Sequence, residues 1–131
     1  MRIAVATTDG ESVARHFGRA PQYAVFELED GRIIDVEQRA KPGHREFAQS
    51  HGPRNDAEEH GHAREADAKH LAMTAPVADC SAVIAGGMGG GAFAAIREAG
   101  LEAVITDETD ARSAALRYAA GDLPNLVDRL H

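Results

Sequence analysis

Cys80-Ser81-Ala82-Val83-Ile84-Ala85-Gly86-Gly87-Met88-Gly89-Gly90-Gly91-Ala92 decides how this chain is built. The run Cys80–Ala85 is short and apolar, as a strand buried on both faces should be. A glycine-rich turn at 86–91 follows. Ala92–Ala99 then has helical composition and stops at Gly100, a residue suited to a helix C-terminus. Leu101–Thr106 is a further apolar run and reads as another strand. Strand, crossover helix and strand in this order call for parallel pairing. Asp107 or Thr109 can cap the next helix, about Asp110–Ala120, which Gly121 ends. Asp122–His131 reads as a short final helix.

The N-terminal half has a different rhythm. Ile3–Thr7 is a β-branched run ending at Thr8-Asp9-Gly10, a turn signal. Residues 11–21 read as a structured loop. Tyr23–Leu28 and Ile33–Arg39 flank Glu29-Asp30-Gly31-Arg32, with Asp-Gly at the centre of a hairpin turn. In the second of these strands Ile34, Val36 and Gln38 alternate with Ile33, Asp35 and Glu37, which predicts a hairpin with one wet face. Residues 40–62 are rich in Gly, Pro, His, Glu and Asn and lack periodicity; a polar loop of that length is usually functional or disordered. Ala63–Ala75 is helical in composition, with Ala66, Leu71 and Ala72 as buried positions and Pro76 closing it. The order β-β-β-α-β-α-β-α predicts an α/β domain with one mixed sheet and helices on its faces.

Length and composition bound the rest. With 131 residues the chain fits one domain, 1–131, large enough for a real core. Aromatics are 5% and Trp is absent, so Ala, Val, Ile and Leu must fill that core. The formal charge of −7, from 14 basic and 21 acidic residues, argues against nucleic acid or an anionic membrane as partner. A single cysteine, Cys80, precludes an internal disulfide. Without a signal-peptide pattern or a membrane-length apolar window, the expected location is cytoplasmic.

Three constellations could carry chemistry. The glycine run joins a buried strand to a helix, where backbone N–H groups and the helix dipole favour an anion. Gly87, Gly89 and Ala92 also fit a G-x-G-x-x-A pattern with Asp107 downstream, although the chain has no P-loop lysine there. A tight strand-to-helix turn accounts for the same residues. The second constellation is Asp9 after the first strand, followed by Arg15-His16-Phe17-Gly18-Arg19. Imidazole is a transition-metal ligand, and two arginines beside it can hold an anion through forked hydrogen bonds. The third is the loop histidines, His44, His51, His60 and His62, with His70 on the following helix and Glu58 and Glu59 as carboxylates. Their spacing matches no structural zinc pattern, and a solvated loop that takes up zinc or nickel opportunistically explains them too. No serine lies in a nucleophile elbow, and only Asp9 and Asp107 sit at strand ends for hydrolytic metal chemistry. Binding is therefore expected rather than catalysis.

Several pieces in order resemble the dinitrogenase iron–molybdenum cofactor-binding family, from Met1 to about Leu123. They are Arg2-Ile3-Ala4-Val5-Ala6 with Thr8-Asp9-Gly10, His16-Phe17-Gly18-Arg19-Ala20, Lys41-Pro42-Gly43, Val83-Ile84-Ala85-Gly86-Gly87-Met88-Gly89, Ala99-Gly100-Leu101 and Ala119-Ala120-Gly121-Asp122-Leu123. The resemblance implies a ribonuclease H-like fold with a mixed five-stranded sheet. It implies a non-catalytic carrier or chaperone for an iron–molybdenum or related metal–sulfur cluster, working with cofactor-assembly or acceptor proteins. By the same resemblance His16 is the candidate ligand. Arg15, Phe17, Gly18, Arg19 and Asp9 surround it, and Gly86, Gly87, Met88 and Gly89 line the same end of the sheet. The metal-binding candidates are His16, His51, His60 and His62. With one thiol available, sharing a cluster between two copies in a homodimer is easier than tight binding by one. The alternative expectation is a metal-responsive interaction module that uses the His-rich loop for zinc or nickel.

Overall fold

The fold is that of a computed structural model, in which residues 1–41 and 73–129 are described. The strands are β1 (Arg2–Thr7), β2 (Gln22–Glu29), β3 (Arg32–Ala40), β4 (Ala82–Ala85) and β5 (Glu102–Ile105). They form one five-stranded sheet in the order β3-β2-β1-β4-β5. The β1–β2 and β2–β3 pairs are antiparallel, while β1–β4 and β4–β5 are parallel. Helix α1 (Gly90–Glu98) links the last two strands, and α2 (Ala111–Ala119) follows them. The mixed sheet and the βαβ unit expected from the glycine-centred stretch are both present.

Period-2 alternation divides the core between the two faces of the sheet. Ala4, Ala6, Val25, Val83, Ala85, Ala103 and Ile105 pack with Ile96 of α1, Phe17 and Val77. Ile3, Val5, Ala24, Phe26, Ile84 and Val104 pack with Ala111, Ala114 and Ala115 of α2. The alanines on these helices let them lie close to the strands. Gly100 and Gly121 take positive φ values of 90° and 75° and end the two helices, as their positions in the sequence predict.

Four expectations need correction. The apolar residues of β3 do not alternate cleanly, because the register slips at Glu27/Leu28, pairing Glu27 with Asp35 and Leu28 with Ile33. Ile33 is thereby carried onto the α2 face with Val36, and Ile34 is left 56% exposed at the sheet edge. Helix α2 is capped by Asp110, whose Oδ2 accepts from Ser113 N at 2.8 Å, rather than by Asp107 or Thr109. The strand after Cys80 begins only at Ala82, and Gly90 and Gly91 already belong to α1.

The end of the chain is the fourth. Its described residues, 122–129, form a 3-10 turn at Val127–Arg129 and no longer helix, because the segment before it is used to cover the β5 edge. There Asn125 Oδ1 accepts from Ile105 N at 2.9 Å, Asn125 Nδ2 donates to Ala103 O at 2.8 Å, and Leu126 N donates to Ile105 O at 2.9 Å.

Pro76 lies in a 3-10 turn, Ala75–Val77. Most of the helix expected over Ala63–Ala75, with Ala66, Leu71 and Ala72, and most of the polar loop at 40–62 lie outside the described residues.

Candidate functional site

The parallel strands β1, β4 and β5 all point their C-terminal ends the same way, which is where α/β sheets place ligands. Three segments meet there: the loop after β1, the turn Gly86–Gly89 after β4, and residues 106–109 after β5. The loop after β1 is stitched to the other two. Ala14 N donates to Ala6 O at 2.7 Å, and Gly86 N donates to Ala14 O at 2.7 Å. Phe17 N donates to Gly87 O at 2.8 Å, and Val13 N to Thr109 O at 2.9 Å. The approach is close enough that a Cβ on Gly86 would stand 3.0 Å from Arg15 Cα and 3.1 Å from Ala14 O. Glycine at 86 is thus required by packing, whatever binds there.

Asp9 organises the start of the loop. Its Oδ1 accepts from Ser12 N at 2.7 Å and Glu11 N at 2.9 Å, and its Oδ2 from the Ser12 hydroxyl at 3.0 Å. The Ser12 N–H, helped by that of Glu11, holds the carboxyl at about 2, below its ordinary 3.8. Asp9 therefore shapes the loop. The buried Thr7 hydroxyl assists, donating to Asp9 Oδ1 at 3.2 Å and accepting from Gly10 N at 2.9 Å.

The residues His16–Arg19 form a 3-10 turn, Phe17–Arg19, entered through His16 in an extended conformation. Phe17 is buried at 1% exposure, 6.2 Å from the Tyr23 ring, and anchors the turn in the core. Met88 is likewise core, at 2% exposure. Arg15, His16 and Arg19 are exposed on the same loop. A cleft of about 260 Å³ opens beside it, lined by Val13, Arg15, Gly86, Thr106, Asp107, Glu108 and Thr109. Helix α1 opens at Gly89, directed at this end of the sheet.

The structure therefore joins the segment Arg15–Arg19 to the turn Gly86–Gly89 through the Phe17 N–Gly87 O bond and the close approach of Arg15 to Gly86, and of these residues Arg15 and Gly86 line the cleft. His51, His60 and His62, proposed as further ligands, lie outside the described residues. Among the described residues no three His, Cys, Asp or Glu side chains are close enough to hold one metal ion. Cys80 stands at the opposite end of β4, where Ser81 N donates to Arg2 O at 2.7 Å. Its thiol is buried, and burial, then the Asp79 carboxylate, push it up to about 12, so it stays protonated.

One residue was missed by sequence reasoning. Lys41 is fully buried, with Nζ 3.2 Å from Ala20 O and 4.3 Å from the centroid of the Phe17 ring. Its signal was available: the chain has only two lysines, and this one opens the Lys41-Pro42-Gly43 motif.

The sequence profile of the dinitrogenase iron-molybdenum cofactor family matches residues 1–121. The chain belongs to that family. No curated protein matches it significantly. Solved structures with the family's architecture include the apo form of the orange protein from Desulfovibrio gigas. It is 20% identical, with a TM-score of 0.64, over 95% of this chain and 91% of that one. The protein PH0822 is similar at 19% identity and a TM-score of 0.63, over 98% and 96%. A protein of Methanocaldococcus jannaschii provisionally named a dinitrogenase shares 9% identity and a TM-score of 0.60, over 96% and 94%. At these identities the likeness is one of fold. Membership in the dinitrogenase cofactor family points to binding or carrying of a cofactor of the iron–molybdenum kind. Among the described residues no helix is long and apolar enough to cross a membrane.

Proposed function

We propose that this chain is a non-catalytic carrier of an iron–molybdenum or related metal–sulfur cluster, which it holds at the loop end of the sheet and passes to an assembly or acceptor protein. The observation that carries this reading is the union of the His16 turn with the glycine turn through the Phe17 N–Gly87 O bond, with His16, Arg15 and Arg19 all exposed beside it. A soft, bulky, anionic cluster asks for such a surface: one imidazole ligand, two forked cations, and backbone N–H groups at a helix start. The chain's net charge of −7 opposes an anion at long range, but screening limits that to about 8 Å at physiological salt. Among the described residues the remote, protonated Cys80 leaves His16 as the soft-metal ligand, which suits labile holding and hand-over. The strand order β3-β2-β1-β4-β5 supports naming the scaffold ribonuclease H-like.

Anaerobic titration of the apo-protein with an iron–molybdenum–sulfur cluster, then desalting and metal analysis, tests the reading. Molybdenum is expected to be retained in fixed ratio by the wild type and lost from His16→Ala, with unchanged far-UV circular dichroism. Retention of zinc or nickel in place of the cluster, or equal molybdenum in His16→Ala, would refute it.

A further inference from the structure

We infer that the outer edge of β3 docks the protein that exchanges cargo with this chain, and that it takes a partner strand alternating apolar and basic side chains. The carrier reading above supplies only the purpose of this contact; the contact itself is tested without cargo. The two edges of the sheet are treated differently. The β5 edge is covered by Asn125 and Leu126. At β3, the other end of the strand order, nothing among the described residues extends the ladder. Lys41 N donates to Pro21 O at 2.9 Å, which fixes the alternation of the antiparallel pair. Val36, Gln38 and Ala40 therefore turn their N–H and C=O groups away from β2, toward whatever lies beside the sheet.

The two faces of this edge ask for different side chains. Val36 stands opposite Phe26 on the α2 face and is 38% exposed. Beside it a groove of about 360 Å³ runs between β3 and the start of α2, floored by Phe26 and Val36 and rimmed by Glu11, Asp110 and Arg112. Apolar side chains of an added strand would lie over that floor. On the other face Asp35 stands opposite Glu27, and Glu37 opposite Val25. Both are exposed, and Asp35 makes no ion pair among the described residues. Lysine or arginine on the added strand answers them. The same charges reject a second copy. A two-fold pairing of β3 with itself centred on Asp35, Val36 or Glu37 sets Asp35 against Asp35, Asp35 against Glu37, or Glu37 against Glu37. Arg39 cannot relieve this, because Asp79 and the Pro76 carbonyl already hold its guanidinium. The groove wall at Gly10 and Glu11 opens the loop that carries His16, so a partner seated on β3 reaches the same end of the molecule as the site.

The probes are two capped synthetic peptides, one alternating valine with lysine and one alternating valine with glutamate. Amide hydrogen exchange of the full chain is followed by NMR with each. The lysine peptide should slow exchange at Val36, Gln38 and Ala40, and the glutamate peptide should slow none of them. Equal protection by both, or none by either, overturns the inference. Asp35→Lys should weaken the lysine peptide roughly tenfold and admit the glutamate peptide, and an unchanged preference overturns the charge reading. Val36→Pro removes a donor that β2 does not use, so the β2–β3 pair should survive and peptide binding be lost. Binding at wild-type strength would show that the contact is not an added strand. Should Val36→Pro not fold, Asp35→Lys still decides. Sedimentation without peptide checks the other occupant: a dimer in which these three amides are already protected overturns the inference in favour of a second copy. A failed docking test leaves the carrier reading standing, and a failure to retain cluster leaves the docking result intact.

Discussion

Substituting Gly86 by alanine tests whether the loop after β1 and the glycine turn are one unit. The added Cβ would stand 3.0 Å from Arg15 Cα and 3.1 Å from Ala14 O, both backbone atoms. Comfortable carbon–carbon contact begins at about 3.5 Å, so the two segments must separate by roughly half an ångström. Overpacking of this kind costs about 1–3 kcal/mol. The separation also stretches the 2.7 Å bond from Gly86 N to Ala14 O, worth about 1 kcal/mol. The sum is about 2–4 kcal/mol. For a domain of this size about 4 °C is lost per kcal/mol, so Tm should fall by roughly 8–16 °C. Gly18→Ala is the control, because nothing lies within 4 Å of its Cβ position and its φ is not positive. It should gain about 0.4–1 kcal/mol through a less flexible unfolded chain. Thermal unfolding followed by circular dichroism reads both. A Gly86→Ala protein within about 2 °C of wild type, or a Gly18→Ala protein that loses as much as Gly86→Ala, would show that the close approach is not what requires glycine.

Two other perturbations follow from bonds described above. The Asp9 carboxyl is held at about 2 in the folded chain against an ordinary 3.8, so its contribution to stability is complete above about pH 4 and is lost as pH falls toward 2. Acid titration of stability should therefore be flatter in Asp9→Ala across that window; identical profiles would remove Asp9 as the organiser of the loop. Asn125→Ala strips Ile105 N and Ala103 O of their side-chain partner at the β5 edge. Leaving the buried Ile105 N–H unpaired costs about 1–3 kcal/mol, read as a lower urea midpoint, and a loss below about 0.5 kcal/mol would mean that water replaces the amide.

The legible part of the fold was the part dictated by local pattern. Val83-Ile84-Ala85 before a glycine run, helix stops at Gly100 and Gly121, and Asp-Gly at 30–31 each specify their element through backbone conformation or burial over a few residues. What was illegible depends on distant partners. The exposure of Ile34 follows from a register slip opposite Glu27/Leu28, which no single strand reveals. Asp110 rather than Asp107 caps α2 because the intervening residues are spent joining the loop after β1: Thr109 O accepts from Val13 N at 2.9 Å. The stretch at 122–126 is not helical because Asn125 finds the edge of β5, a pairing set by tertiary structure. At the site, the motif His16-Phe17-Gly18-Arg19 was readable as a unit, but the division of labour within it was not. Phe17 and Met88 face inward, while His16 and the arginines face outward. Lys41 acquires its place only when the end of β3 meets the turn.

The stitching of the loop after β1 also bears on inheritance. Residues 8–20 are bonded to Gly86 and Gly87 on one side and to Thr109 and Ala111 on the other. A mutation in any of these three segments is felt by the others, so their sequences should drift together among relatives. An attempt to transplant the His16 turn into another member of the family must move all three pieces as a cassette; the turn alone would arrive without the backbone partners that give it a shape.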